Sequence, residues 1–459
     1  MYDCSKDFDK FYRTKVILSA NEKNELRKKR KLNIKRLKDG LLEYNEEKKT
    51  TYKISEERIQ GSMAMHTIVQ NDENDYDIDI GIVFDAENLA DLGPLATRNM
   101  VANALERKTK QFAEAPNVKT SCVRLKYIST GYHVDLAVFK RNKENVLEDK
   151  YTYEHAGVNW SVRHIKALEE WFNEEAKIKG VNFRKVVRLS KMFCKSRSSW
   201  KYMPSGLVQT ILCDEKFATD YSRLDEIFYY TMDAIMNRLE VYLEVKAPVD
   251  NGRLLTNREE DYVRMKNWKN RLKSSLKELD ILFEKECTYN DAITAWFNFF
   301  NHEYWEKLGE HNLVENINYN RLIEFDDTEE FIDDLFPIYE LYEVEIDCKV
   351  SGNGFSMMPI SVYLEKYAPL VQKFIPYKFS ITCKIKKTNC PSYEKILWKV
   401  LNIGEEAQRR NNIRGQIKDR GKEIKETSNF RGSHYIECYL IRNGICVGIG
   451  HVDVPIGQG

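Results

Sequence analysis

An α+β fold in two or three domains is what this sequence predicts, on three observations. Cleanly alternating strand patterns cluster between residues 53 and 139. Helical patterns then run from about 160 to Leu308, broken at Lys201 to Gly206 and at Ala247 to Asn257. Strand patterns return beyond an acidic stretch, Glu324 to Asp334, with the change of character near residue 335. A chain of 459 residues also exceeds what one compact core serves.

Composition narrows the class. Apolar residues make up 42% and charged residues 31%, the balance of an ordinary folded protein. No apolar run approaches the ~20 residues that span a bilayer, so no membrane association is expected. The first residues, MYDCSKDFDKFYRTK, lack an apolar signal core, and the cytoplasm is the expected compartment. A net charge of +1 argues against long-range steering onto nucleic acid. The ten cysteines show no C-x-x-C pair and no zinc spacing, so they are expected to be reduced thiols without chemistry.

Taken in order, residues 5–46 predict one long amphipathic helix, with Leu26, Leu32, Ile34, Leu37, Leu41 and Leu42 along a stripe. Strands are expected at Lys53 to Ile59, Tyr76 to Phe84, Ser121 to Tyr127 and Tyr132 to Phe139, with a helix at Leu95 to Phe112. In the last region, strands are expected at Ile338 to Ser351, Phe379 to Lys386 and His434 to Ile441, around a helix at Tyr393 to Arg410. Asn443-Gly444 marks a two-residue hairpin turn after the last of these.

The chemistry is concentrated in Gly61-Ser62, Asp77, Asp79 and Asp135. Strand side chains alternate, so Asp77 and Asp79 share one face while Ile78 and Ile80 point into a core. At ~3.3 Å per residue their carboxylates lie about 6–7 Å apart along the strand. Asp135 sits on a second alternating strand, opposite in face to Val134, Leu136 and Val138. If the two strands are neighbours, three carboxylates converge, as two-metal phosphoryl transfer requires. Hard oxygen ligands of this kind suit magnesium completed by substrate phosphates. The Gly61-Ser62 turn offers flexible backbone and a hydroxyl to a triphosphate. A lone D-x-D reads more often as solvated acids; the conjunction, in this order, is what carries information.

The order G-S turn, D-x-D, later D resembles the polymerase-β-like nucleotidyltransferases. Within them, QGSMAMHTIV followed by DYDIDIGIVF resembles the cGAS/DncV-like enzymes, which make cyclic oligonucleotides in antiviral signalling. The resemblance implies a palm with a helical lobe. It also implies Mg²⁺ or Mn²⁺, two ions, on Asp77, Asp79 and Asp135, with Asp135 helping to deprotonate the attacking hydroxyl. It gives Gly61 and Ser62 the phosphates. The stretch Val186 to Lys191 resembles the helix whose lysine contacts the donor triphosphate, putting Lys191 there. Met203 to Gly206 resembles the start of the next helix, putting Ser205 on the phosphates. Arg188, Lys191 and Lys195 share one helix face by spacing alone. His133 shares the Asp135 face, but the resemblance assigns neither it nor His66 a role, and a structural histidine is the commoner outcome. No Cys/His insertion like that of the animal DNA sensor is present, which argues against activation by double-stranded DNA.

Residues from about 336 resemble the AGS-C sensor domain, on WKVLNIGEEAQRRNNIRGQI (398–417) and NFRGSHYIECYLIRNGICVGIGHVDVPI (429–456). Arg409, Arg414, Arg431 and His434 beside Trp398 and Phe430 suggest a nucleotide ligand; solvated arginines and core aromatics are the equal alternative. The expected division is therefore 1–155, a catalytic core; 156–335, a helical lobe; and 336–459, the sensor. The expected activity is synthesis of a cyclic di- or oligonucleotide from nucleoside triphosphates, ATP among them, in bacterial anti-phage (CBASS) signalling, with a downstream effector reading the product. Linear oligonucleotide synthesis, transfer to RNA or protein, and a catalytically silent nucleotide sensor remain open.

Overall fold

The structure is a computed structural model, and it describes all residues except 71–75, 90, 146–147, 250–251, 316–328, 369–372, 403–413, 430 and 458–459. The chain forms two compact units, Met1–Ile317 and Asn318–Gly459. The described residues mix helices with sheets in both.

The first unit opens with α1 (Ser5–Phe11), a five-residue π turn (Tyr12–Val16), and α2 (Ala20–Lys48). The single helix expected over residues 5–46 is thus broken. Ile17 is extended, and Ser19 begins a new helix with a capping box, its hydroxyl accepting from the Glu22 amide while the Glu22 carboxylate accepts from the Ser19 amide. The stripe of α2 is also narrower than expected: Leu26, Ile34, Leu37 and Leu41 are buried, whereas Leu32 and Leu42 are exposed. Gly40 lets α2 lie close against the helix Pro94–Arg107, because a Cβ there would overlap the Ala104 carbonyl.

Then follow β1 (Ile54–Ile59), α3 (Gly61–Ala64), β2 (Asp77–Asp85), α4 (Pro94–Arg107), β3 (Asn117–Val118), β4 (Val123–Lys126), β5 (His133–Asn145), β6 (Glu148–Ala156) and β7 (Trp160–Val162). They build a sheet of order β1-β2-β5-β4-β3, with β6 on the outer half of β5 and β7 on β6. β2 and β5 run parallel; the other pairs are antiparallel. Ile78, Ile80 and Ile82 of β2 and Val134, Leu136 and Val138 of β5 fill the core beneath α2 and α4.

The helices α5 (Ala167–Lys179), α6 (Val181–Lys195), α7 (Gly206–Glu215), α8 (Leu224–Val241), α9 (Glu259–Lys277), α10 (Tyr289–Phe300) and α11 (Glu303–Glu315) complete this unit. An aromatic cluster binds them: Phe8 of α1 lies 4.6 Å from Trp296 and 5.7 Å from Phe228, ring centre to ring centre. The first helix of the chain is therefore anchored among these late helices.

The second unit holds α12 (Ile332–Leu335), β8 (Ile338–Gly352), β9 (Phe355–Pro359), α13 (Ile360–Lys366), β10 (Ser380–Thr388), β11 (Lys395–Leu401), β12 (Ile417–Asp419), β13 (Glu423–Thr427), β14 (Gly432–Arg442) and β15 (Ile445–Ile456). The sheet order is β12-β11-β14-β15-β8-β10-β13, with β9 on β8. Residues 395–401, expected as helix, are the strand β11; residues 403–410 of that expectation lie outside the described residues. The cause is burial on both faces: Ile396, Leu397, Trp398, Lys399 and Leu401 are all covered, which erases the alternation that signals a strand. The β14–β15 turn is Asn443-Gly444 with φ of 52° and 70°, the left-handed pair such a tight hairpin needs. Cys348 and Cys383, directly opposite on β8 and β10, form a disulfide. This corrects the expectation that every cysteine is a thiol; pairing across two strands leaves no spacing signal in sequence.

Candidate active site

The parallel pairing of β2 and β5 sets Asp79 directly opposite Asp135, and Asp77 opposite His133. Because the inward partners of both strands are buried aliphatics, the acids are all on the outer face at one end of the sheet. Asp79 is partly buried there. Burial first, then the charges of Asp77 and Asp135, push its carboxyl up to about 7. Crowded carboxylates of this sort are stabilised by a cation.

In this structure the cation is Arg124. On β4 it stands opposite Asp135 in the antiparallel β4–β5 register. Its Nε donates to Asp135 Oδ1 and its Nη2 to Asp135 Oδ2, both at 2.6 Å, and Nη2 also reaches Asp77 Oδ1 at 3.3 Å. His133 Nδ1 lies 3.5 Å from the same Asp77 oxygen. With Arg124 between them, the three carboxylates are not gathered into a ligand set, and no such set occurs among the described residues. The donor set still fits a divalent cation: all oxygens, carboxylates on adjacent strands, with a guanidinium already bridging two of them as a stand-in charge.

Gly61 begins α3 with φ of +61°, and a Cβ there would overlap Asp79 Oδ2. Glycine is thus required twice, for the left-handed backbone and for the close approach. Ser62 follows it, and the Ser62 carbonyl accepts from the Thr67 amide at 2.8 Å, folding 61–67 into a tight turn beside the acids.

That turn is gripped from behind by α6. Arg184 Nε donates to the Met65 carbonyl at 3.1 Å, Arg188 Nε to the His66 carbonyl at 2.9 Å, and Lys191 Nζ to the Thr67 carbonyl at 3.2 Å and Oγ1 at 2.6 Å. Three consecutive carbonyls are held by three cations of one helix. The face of α6 carrying Arg188 and Lys191 is therefore buried, not solvated. Arg188 is committed to the turn and to the Tyr12 hydroxyl. Lys191 is nearer the acids: burial first, then Arg188, lower its amine to about 7, while Asp79 pulls the other way. Beside it, a Cβ at Gly206 would lie 3.4 Å from Lys191 Nζ. Ser205 has a structural duty, its hydroxyl capping α7 by accepting from the Val208 amide at 3.4 Å. Asp77, Asp79, Asp135, Gly61, Lys191 and Ser205 thus belong to one neighbourhood on β2, β5, α3, α6 and the start of α7.

Comparison with known proteins bears on this arrangement. Residues 55–139 match the family model for the nucleotidyltransferase domain of cyclic GMP-AMP synthase DncV-like proteins. Residues 326–457 match that of the adenylyl/guanylyl and SMODS C-terminal sensor domain. The chain carries a DncV-like nucleotidyltransferase domain and a C-terminal sensor domain. The nucleotidyltransferase match begins at β1 and ends inside β5, so it spans Gly61 to Asp135. A cyclic GMP-AMP synthase of Escherichia albertii is 24% identical over 416 residues, covering 87% of this chain and 84% of that protein. In fold, the chain resembles Vibrio cholerae DncV cyclic AMP-GMP synthase crystallised with the linear intermediate 5′ pppA(3′,5′)pG, with a TM-score of 0.54, 16% identity, and coverage of 66% of this chain and 97% of that one. It also resembles the same di-nucleotide cyclase with GTP and 5MTHFGLU2, with a TM-score of 0.51, 16% identity, and coverage of 63% and 92%.

In the nucleotidyltransferase domain, sequence reasoning missed Arg124 and Thr67. Arg124 is reachable only through the β4–β5 register, and Thr67 only through the packing of α6. In the sensor domain, Trp398 is core, its indole donating to the Gly421 carbonyl at 2.9 Å, and no base can stack on it. Arg414 and Arg431 are exposed and His434 is buried. Arg409 and Phe430 lie outside the described residues. Among the described residues no helix is long and apolar enough to cross a membrane.

Proposed function

We propose that this chain is a metal-dependent cytoplasmic nucleotidyltransferase that joins nucleoside triphosphates, ATP among them, into a cyclic di- or oligonucleotide serving bacterial anti-phage (CBASS) signalling. The observation that carries the reading is the register of Asp79 against Asp135 on parallel strands, with Asp77 two residues away and the Gly61 turn packed on Asp79. Asp77, Asp79 and Asp135 would hold Mg²⁺ or Mn²⁺, two ions. When bound, these supply Lewis acidity at the reacting phosphate and lower the pKa of the attacking hydroxyl.

The chain's own residues do the positioning. Asp135 accepts the proton of the attacking ribose hydroxyl. The backbone of Gly61 and the Ser62 hydroxyl face the phosphates of the donor. Lys191 and Ser205 bring an amine and a hydroxyl to the leaving pyrophosphate, and the amine is already fixed by Thr67. Catalysis in phosphoryl transfer is mostly such positioning and charge neutralisation. The likeness of the chain to synthases of cyclic dinucleotides supports ring closure as the second round.

Pyrophosphate release from ATP and GTP with and without Mn²⁺ tests the reading. Release that depends on the metal, and falls at least 100-fold in Asp77→Asn, is expected. Equal release by wild type and variant would overturn it.

A further inference from the structure

Tyr229 and Tyr230 are consecutive on α8, so their side chains leave the helix about 100° apart. The buried face of α8 is Leu224, Ile227, Phe228, Thr231 and Ile235, and both tyrosines are left half-buried on its flank. Tyr221, just before α8, lies flat on Tyr230, with ring centres 4.1 Å apart and planes 9° from parallel. Tyr229 meets Tyr230 edge to face at 5.1 Å. Phe283 ends a single 3₁₀ turn, Asp280–Phe283, and stands 5.0 Å from Tyr229 and 6.4 Å from Tyr230. That turn is anchored: Leu279 and Leu282 are buried, and the Leu282 carbonyl accepts from the Tyr2 amide at 2.6 Å. Four rings thus make a fixed corner at the surface, where Tyr221 and Phe283 remain 37% and 42% exposed.

The charge around this corner is of one sign. Glu226 lies one helical turn before Tyr230, and Asp233 one turn after Tyr229. Asp220 adjoins Tyr221, and Asp280 opens the turn that ends in Phe283. Burial first, then the charges of Asp233 and Asp280, raise the Tyr229 hydroxyl to about 12, so both acids act on that ring. Glu226 is engaged by Arg223, which also holds Asp225. Asp220, Asp233 and Asp280 have no ion pair among the described residues. Asp233 is half-buried with only the Asn237 side chain donating to it, at 3.0 Å, and burial raises its carboxyl.

Elsewhere the first unit covers such rings with its own cations: Lys29 over Tyr127 and Tyr132, Arg197 over Trp200, Arg238 over Tyr242. Among the described residues no cation sits over the four rings of this corner. A ring face attracts a cation, and a flat, weakly hydrated one suits it best. A guanidinium can extend the Tyr221–Tyr230 stack while its N–H groups reach carboxylates; an ammonium offers the charge without the plane. We propose that this corner is a docking site for a basic, arginine-bearing segment of a partner protein. One guanidinium stacks on the face of Tyr221 turned away from Tyr230, and neighbouring basic side chains meet Asp220, Asp233 and Asp280. The surface uses none of the residues of the acid site on β2 and β5.

Fluorescence anisotropy of a labelled Gly-Arg-Gly-Arg-Gly peptide, titrated with the full chain, tests this, with Gly-Lys-Gly-Lys-Gly as the comparison of equal charge. The arginine peptide is expected to bind at least about fivefold tighter than the lysine peptide. Tyr221→Leu, at an exposed position, is expected to weaken the arginine peptide at least about fivefold, while Tyr221→Phe, which keeps the ring, binds as wild type. Asp233→Asn is expected to weaken both peptides; should it fail to fold by circular dichroism, the exposed Asp280→Asn takes its place. Pyrophosphate release by Tyr221→Leu is expected to match wild type. No binding at about 1 mM peptide overturns the proposal. So do equal affinities for the two peptides, which acids without rings would give, and arginine binding that survives Tyr221→Leu. Loss of the arginine peptide in Asp79→Asn would put it at the acid site and overturn the proposal as well. Absence of a cyclic product would bear on the catalytic reading and leave this titration untouched.

Discussion

Arg124 grips Asp135 through two hydrogen bonds of 2.6 Å, Nε to Oδ1 and Nη2 to Oδ2, while Nη2 reaches across to Asp77. Each carboxylate this guanidinium holds is one that a divalent cation would need. Arg124→Ala should therefore raise the affinity of the nucleotide-free protein for Mn²⁺, by about tenfold if one charge-assisted pair of about 1.5 kcal/mol is relieved. Electron paramagnetic resonance of free Mn²⁺ reads this directly. Unchanged or weaker affinity would mean that Arg124 does not compete with metal.

Gly61→Ala meets two obstacles, the φ of +61° and the Asp79 carboxylate. A stability loss of about 1–2 kcal/mol is expected, together with a loss of activity larger than unfolding accounts for, because Asp79 must move. Chemical denaturation and pyrophosphate release separate the two. A variant as active as wild type would show that the turn can shift without cost.

Ser205 can be divided between its two roles. Ser205→Asp keeps an N-cap acceptor for Val208, and stability should hold within about 0.5 kcal/mol. The added negative charge sits beside Lys191 and should raise KM for the triphosphate. Lys191→Met should raise KM as well and, by releasing Thr67, should loosen the 65–67 turn. If Ser205→Asp leaves KM unchanged, Ser205 is a cap and nothing more.

A pH dependence is built into the C-terminal unit. His451 lies between Glu437 and Asp453, at 3.3 and 3.0 Å. Burial would lower its pKa, but the two carboxylates more than offset this and raise it. Burial would likewise raise Glu437, yet His451, Lys399 and the Tyr439 hydroxyl hold it at about 2. The signs follow. The His451 contribution is complete below the ordinary histidine value of about 6.5 and is lost as pH rises through the raised folded value. The Glu437 contribution is complete above the ordinary glutamate value and is lost as pH falls toward 2. Unfolding of this unit should therefore be hardest at mildly acidic pH, and His451→Phe should flatten the alkaline limb. An unchanged profile in that variant would show that His451 does not set the alkaline limb.

What could be read in advance follows physical lines. β2 was legible because Ile78 and Ile80 face a core while Asp77 and Asp79 face outward, and the hairpin because Asn443-Gly444 has few other uses. β11 was not legible, since both its faces are buried. The break before α2 was hidden because Ser19 and Glu22 read as ordinary polar residues until they cap each other. Arg124 was invisible because its role depends on which β5 residue it opposes, and sequence spacing says nothing of register. The spacing of Arg188 and Lys191 was legible as a shared face, but not what the face would meet, which is the backbone of residues 66 and 67.

Ring closure is what separates the proposed activity from linear oligonucleotide synthesis. The deciding measurement incubates the purified protein with all four labelled triphosphates and Mg²⁺ or Mn²⁺, treats the products with phosphatase and identifies them by mass. A phosphatase-resistant cyclic nucleotide, absent from Asp79→Asn, is expected. Products whose terminal phosphates are all removed by phosphatase, leaving only linear chains, would contradict it.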